Sequence, residues 1–115
     1  MKLLTLTTAL LLALASFNAM AVGAIAVDDE AGSTDTGYGI VTGMGSEAEA
    51  KAGALKECKS AGNNCKVAVW FTTCGAYANS KENSGIGYGN TKAIAESKAL
   101  EACGGDCKIQ VSDCE

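Results

Sequence analysis

Two stretches of the chain say nearly the same thing. SEAEAKAGALKEC (residues 46–58) can be laid over TKAIAESKALEAC (91–103), so that Ala48, Ala50, Ala54, Leu55 and Cys58 meet Ala93, Ala95, Ala99, Leu100 and Cys103. Flanking matches occur in the same order: GAIA (23–26) with GAYA (75–78), GYG (37–39) with GYG (87–89), and CKVAV (65–69) with CKIQV (107–111). Chance supplies one such match but not four in sequence, so the chain is a tandem of one supersecondary unit. Whatever that unit is, it must be built twice within 115 residues. The two repeats run over about residues 23–74 and about 75–114.

Each unit reads as strand, strand, helix, strand. Ser46 with Glu49 forms a capping box, and Thr91 caps the second helix. Ala48, Ala52, Leu55 and Cys58 recur at helical spacing, as do Ala93, Ser97, Leu100 and Cys103, which places each cysteine beside its leucine on the core face. Ala50/Ala54 and Ala95/Ala99 form a second stripe, small enough for close approach of another element. Glu47–Lys51 and Lys92–Glu96 stand four apart as opposite charges. After each helix the pattern alternates: Cys65, Val67, Val69 and Phe71 oppose Lys66, Ala68 and Trp70, and Cys107, Ile109 and Val111 oppose Lys108, Gln110 and Ser112. The expected fold is α+β: a largely antiparallel sheet from two tandem units, both helices on one face, stapled by disulfides.

All six cysteines lie after residue 57, and the chain starts with Lys2, an apolar run from Leu3 to Leu14, and Ala19-Met20-Ala21. That is the layout of a cleaved signal peptide over residues 1–21, ahead of a single secreted domain at 22–115. The run is short of the roughly 20 residues of a membrane span, and no cysteine follows the cleavage site, so no stable membrane anchor is expected. An even cysteine count behind a leader reads as a disulfide framework. Zinc is disfavoured, because there is no histidine and no CxxC pair. If each helix ends where the following strand begins, the pairs are Cys58–Cys65, Cys103–Cys107 and Cys74–Cys114. The expected localisation is the periplasm or the exterior.

The same residues exclude much chemistry. Without histidine there is no Ser-His or Cys-His nucleophile pair, and the serine–lysine neighbours read as solvated surface. Asp28, Asp29, Glu30 and Asp35 crowd one loop but lack EF-hand spacing, and read as turn formers. GYGIVTG (37–43) and GIGYG (85–89) do not fit GxGxxG, and read as close-packing glycines. Lys2 leaves with the leader, so eight of the nine lysines face thirteen acidic residues, with no arginine. Nucleic acid is therefore an unsuitable partner. No cofactor, metal or catalytic residue is assigned.

Aromatics are few. Tyr77 occupies the repeat position of Ile25 and is expected in the core; Tyr38 and Tyr88 are expected beside their glycines. The alternation puts Trp70, with Lys66 and Ala68, on the sheet face away from the helices, where an exposed tryptophan would anchor a protein partner.

Taken together, GAIAVDD, GYGIVTG, SEAEAKAGALKEC, CKVAVWF, GIGYG and VSDC resemble family 4189 of the domains of unknown function. The resemblance spans nearly all of residues 22–115 and implies a small bacterial exported domain; it brings no catalytic residues. The function expected is non-catalytic protein binding. The alternative is inhibition of, or immunity to, a basic lytic enzyme or toxin, which the acidic balance would suit.

Overall fold

The computed structural model describes residues 21–28, 37–59 and 64–115. Residues 1–20 of the expected leader, and Asp29, Glu30 and Asp35 of the acidic loop, lie outside the described residues. The elements run β1 (Val22–Asp28), β2 (Gly37–Met44), α1 (Glu47–Lys59), β3 (Lys66–Phe71), β4 (Cys74–Asn79), β5 (Ser84–Gly89), α2 (Lys92–Cys103) and β6 (Lys108–Cys114). This is strand–strand–helix–strand, twice. Pairing is antiparallel throughout, in the orders β2-β1-β3 and β5-β4-β6.

The α+β class and antiparallel pairing agree with the sequence; the layering differs in one respect. The strands form two three-stranded sheets, each with its own helix outside. Ala24 and Ala26 pack with Ala50, Ala54 and Cys58 of α1, and Ala76 and Ala78 with Ala95, Ala99 and Cys103 of α2. The opposite faces meet: Ile25, Val27, Val69 and Phe71 of the first sheet enclose Tyr77 of the second, with Ile40, Ile86 and Val111 alongside. The helices thus lie on opposite sides of a sheet-on-sheet core rather than on one face of one sheet. The reason is in the central strands. β1 and β4 are apolar on both faces and almost wholly buried, so helices on one side alone would leave Ile25, Val27 and Tyr77 in water. Tyr77 is 1% exposed, a core residue as expected. Across the core β1 meets β4, β3 meets β5 and β4, and β2 meets β6.

Small residues, not leucines, face the sheets. Ala50, Ala54 and Cys58 are buried, as are Ala95, Ala99 and Cys103. Leu55 packs at the flank of its cluster, and Leu100 is exposed. The helix axes come so close that a Cβ on Gly39 would meet the backbone N of Cys58 and the carbonyl O of Ala54. A Cβ on Gly85 would meet Ala99 O and Cys103 N, and one on Gly87 would meet Ala95 O. A four-residue spacing of alanine and cysteine over glycine permits backbone-to-backbone contact; leucine in that stripe would hold the layers apart.

These contacts also reset one repeat match. Gly39 pairs with Ala26, whose counterpart Ala78 pairs with Gly85. The structural equivalent of Gly39-Ile40-Val41 is therefore Gly85-Ile86-Gly87, and the two GYG strings are not equivalent. The flanking strands do match as aligned. Both carry an irregularity at the same place, between Ile25 and Ala26 on one side and between Tyr77 and Ala78 on the other. Each leaves one extra residue on the outer strand, Ala68 in β3 and Gln110 in β6.

The three disulfides are Cys58–Cys65, Cys74–Cys114 and Cys103–Cys107, with Cα–Cα distances of 6.0, 4.0 and 6.2 Å, the pairing expected from the helix and strand ends. Cys74 opens β4 and is the direct cross-strand partner of Cys114, so that bridge lies wholly within the second sheet.

Both helix starts are capped. Ser46 Oγ accepts from Glu49 N and Thr91 Oγ1 from Ile94 N, each at 3.1 Å. Glu47 pairs with Lys51, whereas Glu96 accepts instead from Ser112 Oγ on β6. Thr91→Ala is expected to cost about 1 kcal/mol, read as a lower urea midpoint at unchanged slope.

Candidate functional site

The bulge at Ala68 decides where the residues proposed for binding point. Below it, Lys66 pairs with Val27; above it, Trp70 pairs with Ala24. Val27 faces the second sheet and Ala24 faces α1, so Lys66 and Trp70 fall on opposite faces of β3. Ala68 packs toward the sheet-on-sheet core. The strict alternation from Cys65 to Phe71 is thus interrupted. Cys65 joins the helix-side cluster, while Val69 and Phe71 join the core between the sheets. Trp70 stands on the helix-bearing side, not on an open face away from it. Because α1 lies mainly over β2 and β1, the indole on the edge strand escapes its cover and is 44% exposed.

Trp70 does not stand alone. Ala68, Val69, Trp70, Phe71, Thr72 and Thr73, six consecutive residues, form one wall of a groove of about 410 Å³; Tyr88 of β5 forms the other. Tyr88 is 62% exposed. Lys98 Nζ of α2 lies 5.8 Å from the centre of its ring, a cation–π contact that holds the ring from the helix side. Thr73 Oγ1 donates to Gly89 O at 2.7 Å and ties the two walls together at one end. No charged side chain lines the groove. Lys66 is not part of it.

Tyr88 was not expected here, because matching the two GYG strings made it look like a repeat feature beside its glycines. The signal that exposes it is the correct register, in which Tyr88 pairs with Gly75 and has Thr42 as its counterpart. A second, more open hollow of about 610 Å³ lies at the far end of the second sheet, where Lys81, Glu82, Asp106 and Lys108 bring both charge signs onto exposed turns. Of the acidic loop, Asp28 is described, and its Oδ2 accepts from Asn64 N at 3.1 Å. No cluster of three or more His, Cys, Asp or Glu side chains suited to a metal ion occurs among the described residues.

The groove and its two aromatics belong to a chain whose residues 22–114 match the model of a family described as a domain of unknown function, DUF4189. The match covers both units, and the chain belongs to that family. No curated protein and no solved structure matches it.

Proposed function

We propose that the domain is a non-catalytic protein-binding module of the bacterial periplasm or exterior, and that it grips its partner at the groove beside β3. The observation that carries this reading is the pair of exposed aromatics, Trp70 and Tyr88, lining one uncharged groove. Tryptophan and tyrosine dominate interface energetics where they can be fully desolvated, and a monomer gains nothing by leaving them in water. Export is supported by the three disulfides, and no helix among the described residues is long and apolar enough to cross a membrane.

The test is affinity capture from envelope and secreted fractions with the oxidised domain and its Trp70→Ala variant. Trp70 lies outside the core clusters, so the variant keeps its fold by circular dichroism. A partner bound by the first and at least about 30-fold weaker on the second is the expected result for a central aromatic worth ~2 kcal/mol. A partner held equally by both would overturn the assignment of the site. If neither retains a partner, the binding reading falls and inhibition of a basic lytic enzyme becomes the reading to test.

A further inference from the structure

We infer that the partner binds by adding an extended, uncharged strand to the edge of β3, and that Trp70 and Tyr88 flank that strand. The inference rests on the protein-binding reading and specifies its geometry. β3 ends the order β2-β1-β3 and pairs only with β1 among the described strands. Its far side therefore presents backbone donors and acceptors that a further strand could satisfy. The groove is walled by residues 68–71 of β3 and by Thr72 and Thr73 of the turn that follows, so it lies along that edge.

The second unit provides an internal control, because β6 occupies the same place in its own sheet. Ala24 and Ala76 are equivalent, and they pair with Trp70 and Ser112. Gly23 and Gly75 are equivalent, and they pair with Phe71 and Asp113. The bulged residues are Ala68 and Gln110. Where β6 carries Gln110, Ser112 and Asp113, β3 carries Ala68, Trp70 and Phe71. Ser112 is further engaged by Glu96 at 2.5 Å. Polar and charged side chains are the usual means of keeping an edge from pairing with a stranger. One of two otherwise matching edges has them; the other has a tryptophan.

The edge selects the form of the occupant: only an extended segment can hydrogen-bond along β3, and the groove of about 410 Å³ lies beside that strand. Its lack of charged lining residues gives no counter-charge to an ionic segment, so the strand is uncharged where it lies against β3.

The experiment uses a displayed library of random linear nonapeptides, panned against the oxidised domain, with the best binder resynthesised in singly N-methylated forms. Binders with alternating apolar residues and no charge are expected. Methylation at every second amide should weaken binding by roughly tenfold each, the loss of one hydrogen bond, while methylation at the intervening amides leaves it unchanged. Trp70→Lys should abolish binding and Gln110→Ala should not. Binding that needs Trp70 but ignores methylation would overturn strand addition and leave the binding reading standing. A library yielding no Trp70-dependent binder, while a partner is still captured through Trp70, would do the same. A concentration-dependent dimer lost in Trp70→Lys would also overturn it, by showing that a second copy occupies the edge.

Discussion

Gly87→Ala is expected to unfold the second unit, although it adds a single methyl group. The new Cβ would meet the carbonyl oxygen of Ala95 and stand 2.5 Å from the amide nitrogen of Ala99. Both are backbone atoms of α2, so no rotamer change relieves the contact; the whole helix must lift from the sheet. Overpacking a tight core typically costs about 1–3 kcal/mol, and a clash with main chain belongs at or above the top of that range. Lifting α2 also opens the cluster of Ala76, Ala78, Ala95 and Ala99 to water. Trimming the neighbour cannot repair this: Ala95→Gly leaves the offending carbonyl in place, so the double variant should be no more stable. The contrast is Gly75→Ala, whose Cβ would meet the Phe71 ring. There the obstacle is a side chain, and Phe71→Leu should restore part of the loss. Gly105→Ala, with nothing within 4 Å of its Cβ, should change stability by less than about 0.5 kcal/mol. Urea denaturation of the five variants checks the ordering.

Removing the Cys74–Cys114 bridge should be the most damaging loss of a disulfide. It closes a separation of 40 residues, against 7 for Cys58–Cys65 and 4 for Cys103–Cys107. On the chain-entropy account the long loop is worth about 4 kcal/mol and each short one about 2. The bridge also joins the ends of β4 and β6 and encloses β5 and α2 between its cysteines, so the second sheet loses its outer strand when it is cut. The Cys74→Ala/Cys114→Ala double variant should therefore show the larger fall in Tm, and the Cys103→Ala/Cys107→Ala variant roughly half of it. Equal losses would mean that the bridges act mainly through the folded state.

The elements and the disulfides were legible because their signals are local. A cap, an alanine stripe and a terminal cysteine define each helix, and a cysteine just before each following strand leaves few sensible pairings. The layering was less legible, since periodicity says which residues share a face but not what covers it. The clue was VGAIAV in β1 and CGAYAN in β4, apolar on both faces, which calls for cover on both sides. Leu55 and Leu100 misled because hydrophobicity ranks leucine above alanine. Against glycine strands the helices approach too closely for leucine, and volume decides instead. The candidate groove was legible only in part. Trp70 stood out as the lone tryptophan, but a β-bulge inverts side-chain direction without any glycine or proline to mark it. Ala68 turned inward, and Lys66 parted from Trp70. Tyr88 comes into view only when the units are aligned by strand partners instead of by matching letters.

The single tryptophan of the chain gives the most direct test of the account. With 5-fluorotryptophan in the oxidised domain, the one fluorine signal reports Trp70 alone, whatever the partner contains. Added to a captured partner, the domain should show that signal shifted and shielded from solvent in the complex, with the β3 amides newly protected from hydrogen exchange. A partner that binds while the Trp70 signal stays at its free position would place the interaction elsewhere and contradict the assignment of the β3 edge.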